Sequence, residues 1–136
     1  MSTLYVARSA KLCKWGADVG LGKNLFKVGC VDGDAAVESL IKDGWAGETD
    51  WTLVKSQEIE HPMDEETVLA KLGRKGKAID PMLYPRLKGT VGIFKVSPTD
   101  VENHLLIAQA LANRDISKIK VKPVDFGTFL IHNALK

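Results

Sequence analysis

The chain has 136 residues, 45% of them hydrophobic and 26% charged, the make-up of one folded domain rather than a disordered segment. No apolar run approaches the ~18 residues of a membrane-spanning helix, and Met-Ser-Thr-Leu-Tyr-Val lacks the basic-then-apolar opening of a secretory signal. The net charge is only +2 but unevenly spread: Asp32 to Glu66 holds eleven carboxylates and two lysines, whereas Lys71 to Lys95 holds seven cations and one acid.

Leu4 to Arg8 is β-branched and aromatic, which predicts a strand. Ser9 to Asn24 carries Gly16, Gly20 and Gly22 with little periodicity and reads as a long loop. Leu25 to Cys30 predicts a second strand. Asp32 or Asp34 caps a helix through Val37, Leu40 and Ile41 that Gly44 stops. Trp51 to Glu60 is a third strand, ended by His61-Pro62. Asp64 opens a helix with Val68, Leu69 and Leu72 on one stripe, ending at Gly73 or Gly76. Lys77 to Gly89 is a basic loop, and Thr90 to Val96 a fourth strand. Ser97-Pro98-Thr99-Asp100 is a helix start, with a serine cap, proline at the first helical position and an acid in the first turn. From Arg114 to Lys136 the chain carries a net +3. Ile116 to Val124 alternates like a strand, and Phe129 to Leu135 is apolar.

Strands come early and do not alternate regularly with helices, which predicts an α+β domain with a small, mainly antiparallel sheet flanked by helices. Residues 1–113 form the domain, and 114–136 form a basic, strand-like C-terminal extension packed on it.

Several motifs fail for chemical reasons. Gly20-Leu21-Gly22-Lys23 resembles half a phosphate loop, but a strand follows it, and a phosphate cradle needs a helix N-terminus. His61, His104 and His132 have no ligand spacing for zinc. Cys13 and Cys30 are too few for a disulfide framework and read as reduced, partly buried thiols of a cytoplasmic protein.

One ordered set of motifs remains: Leu4-Tyr5-Val6, then Phe26-Lys27-Val28-Gly29, then a helix, Trp51-Thr52-Leu53-Val54, and Glu66 ahead of Leu69 and Leu72. In order and spacing, from about Thr3 to Leu106, this resembles the GIY-YIG endonuclease superfamily. It is most similar to the bacterial and phage branch whose second motif reads Lys-Ile-Gly. The resemblance implies a GIY-YIG-like fold and a nucleic-acid-directed phosphodiesterase. Tyr5 and Lys27 would act on the attacking water, and Glu66 would hold one Mg²⁺ or Mn²⁺, a hard ion suited to a carboxylate and phosphate oxygens. Two departures weaken catalysis. The family's helix arginine falls at Ala36, and the histidine expected after the glutamate falls at Ala70. Losing a charge clamp on phosphate costs orders of magnitude in rate. Within the same helix, Arg74 is the nearest substitute.

Nucleic-acid affinity, DNA before RNA, is expected in Arg74, Lys75, Lys77, Arg86, Lys88, Lys118, Lys120 and Lys122, because positioning contacts come mostly from Lys and Arg to phosphates. Two alternatives stand beside the weak or inactive phosphodiesterase. One is a non-catalytic module that binds nucleic acid or protein. The other is a small-molecule enzyme of unrelated fold.

Overall fold

The computed structural model describes residues 2–22, 24–32, 34–59, 65–75, 77–111 and 121–135. Strand β1 (Ser2–Ser9) leads into helix α1 (Ala10–Asp18), β2 (Leu25–Asp32), α2 (Asp34–Asp43), β3 (Trp51–Ile59) and α3 (Glu65–Lys75). Then come β4 (Lys77–Ala78), a 3₁₀ turn (Pro85–Leu87), β5 (Ile93–Lys95), α4 (Pro98–Leu111) and α5 (Pro123–Leu135). The sheet order is β3-β1-β2-β5-β4, and every neighbouring pair is antiparallel. The α+β class read from the sequence is therefore the class of the fold.

Side chains alternate across a strand, and the alternation divides the interior in two. Leu4, Val6, Phe26, Val28 and Cys30 point to one side, where α3 (Val68, Leu72), α4 (Val101) and α5 cover them. Ala7, Leu25 and Ile93 point to the other, under Leu12 and Cys13 of α1 and under Ala46, Trp51 and Leu87. Both cysteines are buried and neither forms a disulfide. Among the described residues no helix is long and apolar enough to cross a membrane.

Two segments differ from the sequence expectation. Ser9 to Asn24 is not one long loop, because α1 fills its first half. The Ser9 hydroxyl accepts the Leu12 amide at 3.2 Å and donates to the Asp50 carboxylate, so one side chain caps α1 and ties it to the start of β3. Gly16 hides the helix in a pattern search. It lies inside α1 because a β-carbon there would come within 2.6 Å of the Leu25 side chain. Gly20 and Gly22, both at positive φ, come after the helix has ended.

The C-terminal extension is the second difference. Its described part is a helix, not a strand. Pro123 opens α5, and the Asp125 carboxylate accepts the Lys122 amide at 2.8 Å. Phe126, Leu130, Ile131 and Ala134 recur at helical spacing and are buried in the main core. Phe126 stacks on Phe26 of the sheet, with centroids 5.1 Å apart. The alternation that suggested a strand lies mostly in residues 112–120, outside the described residues, as do Lys118 and Lys120.

Because α5 closes the core, Phe126→Ala is expected to lower the unfolding free energy by about 3–5 kcal/mol in urea denaturation. A cost below about 1 kcal/mol would mean that α5 is an accessory to the fold.

Candidate functional site

Tyr5 and Lys27 lie on neighbouring strands and on the same side of the sheet. Tyr5 pairs across with Gly29, and Lys27 sits between Ala7 and Ile93. Small Ala7 leaves room for the lysine stem. Both side chains end in the interior: Tyr5 is 1% exposed and Lys27 4%. A buried ammonium is costly unless it is paired and hydrogen-bonded. Here the Lys27 Nζ donates to the Val28 carbonyl at 3.0 Å and lies 3.8 Å from Glu65 Oε1. It also lies 5.6 Å from the Tyr5 ring centroid and 5.4 Å from that of Trp45, within cation–π range.

Trp45 covers this group. Its ring stacks on Tyr5 at 5.8 Å and 15°, and meets Trp51 edge-on at 5.2 Å. Its carbonyl accepts the Trp51 indole N–H at 3.0 Å. The loop is fixed from the other side at Ala46, a non-glycine residue with φ of 56°. The Ala46 amide donates to Thr90 Oγ1 at 3.1 Å, and the Arg86 guanidinium donates to the Ala46 carbonyl and to the Glu48 carboxylate. These bonds hold a backbone conformation that a side chain ordinarily disfavours.

Gly29 makes the cluster possible. A β-carbon on it would overlap the Tyr5 hydroxyl and the Glu65 carboxylate. The glycine of the Phe26-Lys27-Val28-Gly29 motif is thus a packing requirement of the phenol and the α3 carboxylate together.

The electrostatics follow from burial. Desolvation, then the Glu65 charge, raises the Tyr5 pKa well above the ordinary phenol value, so the hydroxyl stays protonated and is a poor base. Desolvation lowers the Lys27 pKa, and Glu65 opposes the shift.

The predicted site residues separate in this arrangement. Tyr5 and Lys27 come together, but the carboxylate that meets them is Glu65, not Glu66. Successive helix residues are ~100° apart, and Glu66 is exposed, lining a neighbouring cleft with Leu69, Asp80 and Val91. The run Asp64-Glu65-Glu66 could not be phased without the true helix start. Asp64 itself is outside the described residues. No three His, Cys, Asp or Glu side chains gather into a metal group among the described residues. The positive charge beside Glu65 is already Lys27, so these residues do not fit a divalent ion at the cluster.

Of the expected interface residues, the described side chains are those of Arg86, Lys88 and Lys122. The Arg86 guanidinium donates to Ala46 and Glu48 and so holds the Trp45 loop. Lys88 and Lys122 are exposed. Arg74 and Lys75 end α3, and Lys77 opens β4. The arginine position in α2 is Ala36, and the cation in that helix, Lys42, is exposed. In the sequence Trp45 is only an aromatic between Gly44 and Gly47, and its role as a cover comes from the packing on Tyr5.

Comparison with protein-family models, curated proteins and solved structures found no match.

Two outcomes follow from this geometry. Gly29→Ala is expected to cost about 1–3 kcal/mol by overpacking, read as a lower urea midpoint, and an unchanged midpoint would contradict the packing described. For Tyr5, the raised folded pKa means that above its ordinary value of 10.0 the unfolded chain loses a proton that the folded chain keeps. Stability therefore falls with rising pH above 10, by up to about 1.4 kcal/mol per pH unit. Lys27, shifted the other way, contributes the opposite slope below its ordinary 10.5 and is present in both proteins of the comparison. Denaturation at about pH 9 and about pH 11 should show wild type losing more stability than Tyr5→Phe. Equal losses would place the phenol in water.

Proposed function

We propose that this chain is a nucleic-acid-directed domain of GIY-YIG-like ancestry that binds without cutting and works in the cytoplasm, where Cys13 and Cys30 stay reduced. One observation carries the reading: the tyrosine and lysine expected to act on a phosphodiester are buried, satisfied by internal partners and covered by Trp45. A general base must reach the proton that it removes, and a nucleophile must reach phosphorus. A protonated phenol under an indole does neither. The absent helix arginine points the same way. Exposed Lys88 and Lys122, with the basic segments around them, support electrostatic binding to phosphates.

The convergence of Tyr5, Lys27 and a glutamate of α3 favours a second reading, a metal-dependent phosphodiesterase that works when Trp45 swings away. That reading needs Mg²⁺ or Mn²⁺ at Glu66, with waters making up the coordination.

Incubation with single- and double-stranded DNA in Mg²⁺ or Mn²⁺ is expected to give no cleavage in wild type or in Trp45→Ala. Binding by fluorescence anisotropy is expected to weaken with salt, with a log–log slope of about −4 if four to five phosphates are contacted. Lys88→Ala and Lys122→Ala should each reduce the slope by about 1. Cleavage by Trp45→Ala that Glu66→Gln abolishes would establish the second reading. Salt-independent or absent binding to DNA and RNA would overturn the nucleic-acid reading and leave a protein-binding module.

A further inference from the structure

We infer that the cleft between α3 and the β4–β5 edge takes a small amphipathic organic cation, an apolar body carrying an ammonium or amidinium group. This goes beyond the nucleic-acid reading and does not depend on it. The cleft encloses about 560 Å³, within the range of small-molecule sites. Its walls are apolar, formed by Leu69 of α3, Ile79 and Pro81 after β4, and Val91 and Phe94 on the β5 side. Ile79 and Phe94 are buried in the domain and give the cleft a fixed floor, whereas Val91 is 54% exposed at its lip.

Three carboxylates line the same space, those of Glu65, Glu66 and Asp80. Lys27 offsets the first at 3.8 Å. Glu66 and Asp80 take part in neither of the two ion pairs found among the described residues. The Asp80 carboxylate accepts the Met82 amide at 2.9 Å, which orients it at the turn where the chain leaves the cleft. Among the described residues, no lysine or arginine lines the cleft. A ligand there therefore meets apolar walls and a net negative rim.

The physics of the two features selects the ligand. Exposed carboxylates attract a bare ammonium only weakly, so the apolar walls must supply most of the affinity. The rim then decides the sign: it favours a cation and repels a carboxylate or phosphate of the same shape. The volume suits a free small molecule, with a body the size of a phenyl or branched alkyl group.

Three matched probes test this: phenethylamine, phenylacetate and 2-phenylethanol, titrated separately into the full chain and followed by amide chemical shifts. Phenethylamine is expected to shift the Leu69, Val91 and Gly92 amides and to bind about tenfold tighter than 2-phenylethanol, the combined yield of two exposed ion pairs. Phenylacetate should bind more weakly than the alcohol. Glu66→Gln with Asp80→Asn should bring amine and alcohol to within about threefold of each other, while the thermal midpoint stays that of wild type. Equal binding of amine and acid, shifts confined to another part of the domain, or an amine preference that survives the double variant would each overturn the proposal. If the double variant unfolds, Glu66→Gln alone, at an exposed position, carries the same test with about half the effect.

Discussion

The interior of this domain is organised around a buried lysine ammonium. Lys27 stands in the middle of β2, where an aliphatic side chain would be the ordinary choice, and its charge reaches no bulk water. The surrounding elements are arranged to satisfy it. The Val28 carbonyl accepts one hydrogen bond, Glu65 supplies the counter-charge from the first turn of α3, and Tyr5 and Trp45 present their rings. Removing one partner from such a group leaves a charge in a low-dielectric interior. The requirement therefore constrains where α3 begins, how the Trp45 loop folds, and why position 29 has no side chain.

The same constraint bears on function. The residues that would have to meet a substrate are the residues that the fold uses to neutralise its own charge. Lys27 occupies the electrostatic position beside Glu65 that a bound cation would need, and Trp45 occupies the space above Tyr5. The cover is itself braced: Arg86 and Thr90 hold Ala46 in a left-handed conformation, and Trp51 holds the Trp45 carbonyl. The open chemistry of the domain lies one helix residue further on, where Glu66 faces the cleft instead of the cluster.

The charge blocks of the sequence take on separate roles in the same way. In the acidic block, Glu65 is the counter-ion of Lys27, Glu48 anchors Arg86, and Asp50 receives the Ser9 hydroxyl. In the basic block, Arg86 is half-buried against Ala46 and Glu48, while Lys88, two residues on, is exposed. A net charge counted along the chain does not become a surface patch where members of a block are taken up by contacts of the fold, as Glu48, Glu65 and Arg86 are.

Much of the architecture was legible because it is written in local chemistry. The Gly44 stop of α2, the Ser97-Pro98 start of α4 and the apolar stripe of α3 all act within a few residues. The order of motifs, a longer-range signal, placed Tyr5 and Lys27 in one neighbourhood. The features that escaped depend on contacts far apart in the chain. Gly16 looks like a loop residue until Leu25 packs against it. Arg86 looks like a phosphate ligand until the loop around Ala46 claims it, and Phe126 belongs to a core helix only because Phe26 lies beneath it. The choice between Glu65 and Glu66 turns on a ~100° rotation per residue, fixed by where α3 docks on the sheet. Local propensity and spacing decide which segments become strands and helices. Only the packed tertiary structure decides which charges face water and which face each other, because burial sets the cost of leaving a charge unpaired.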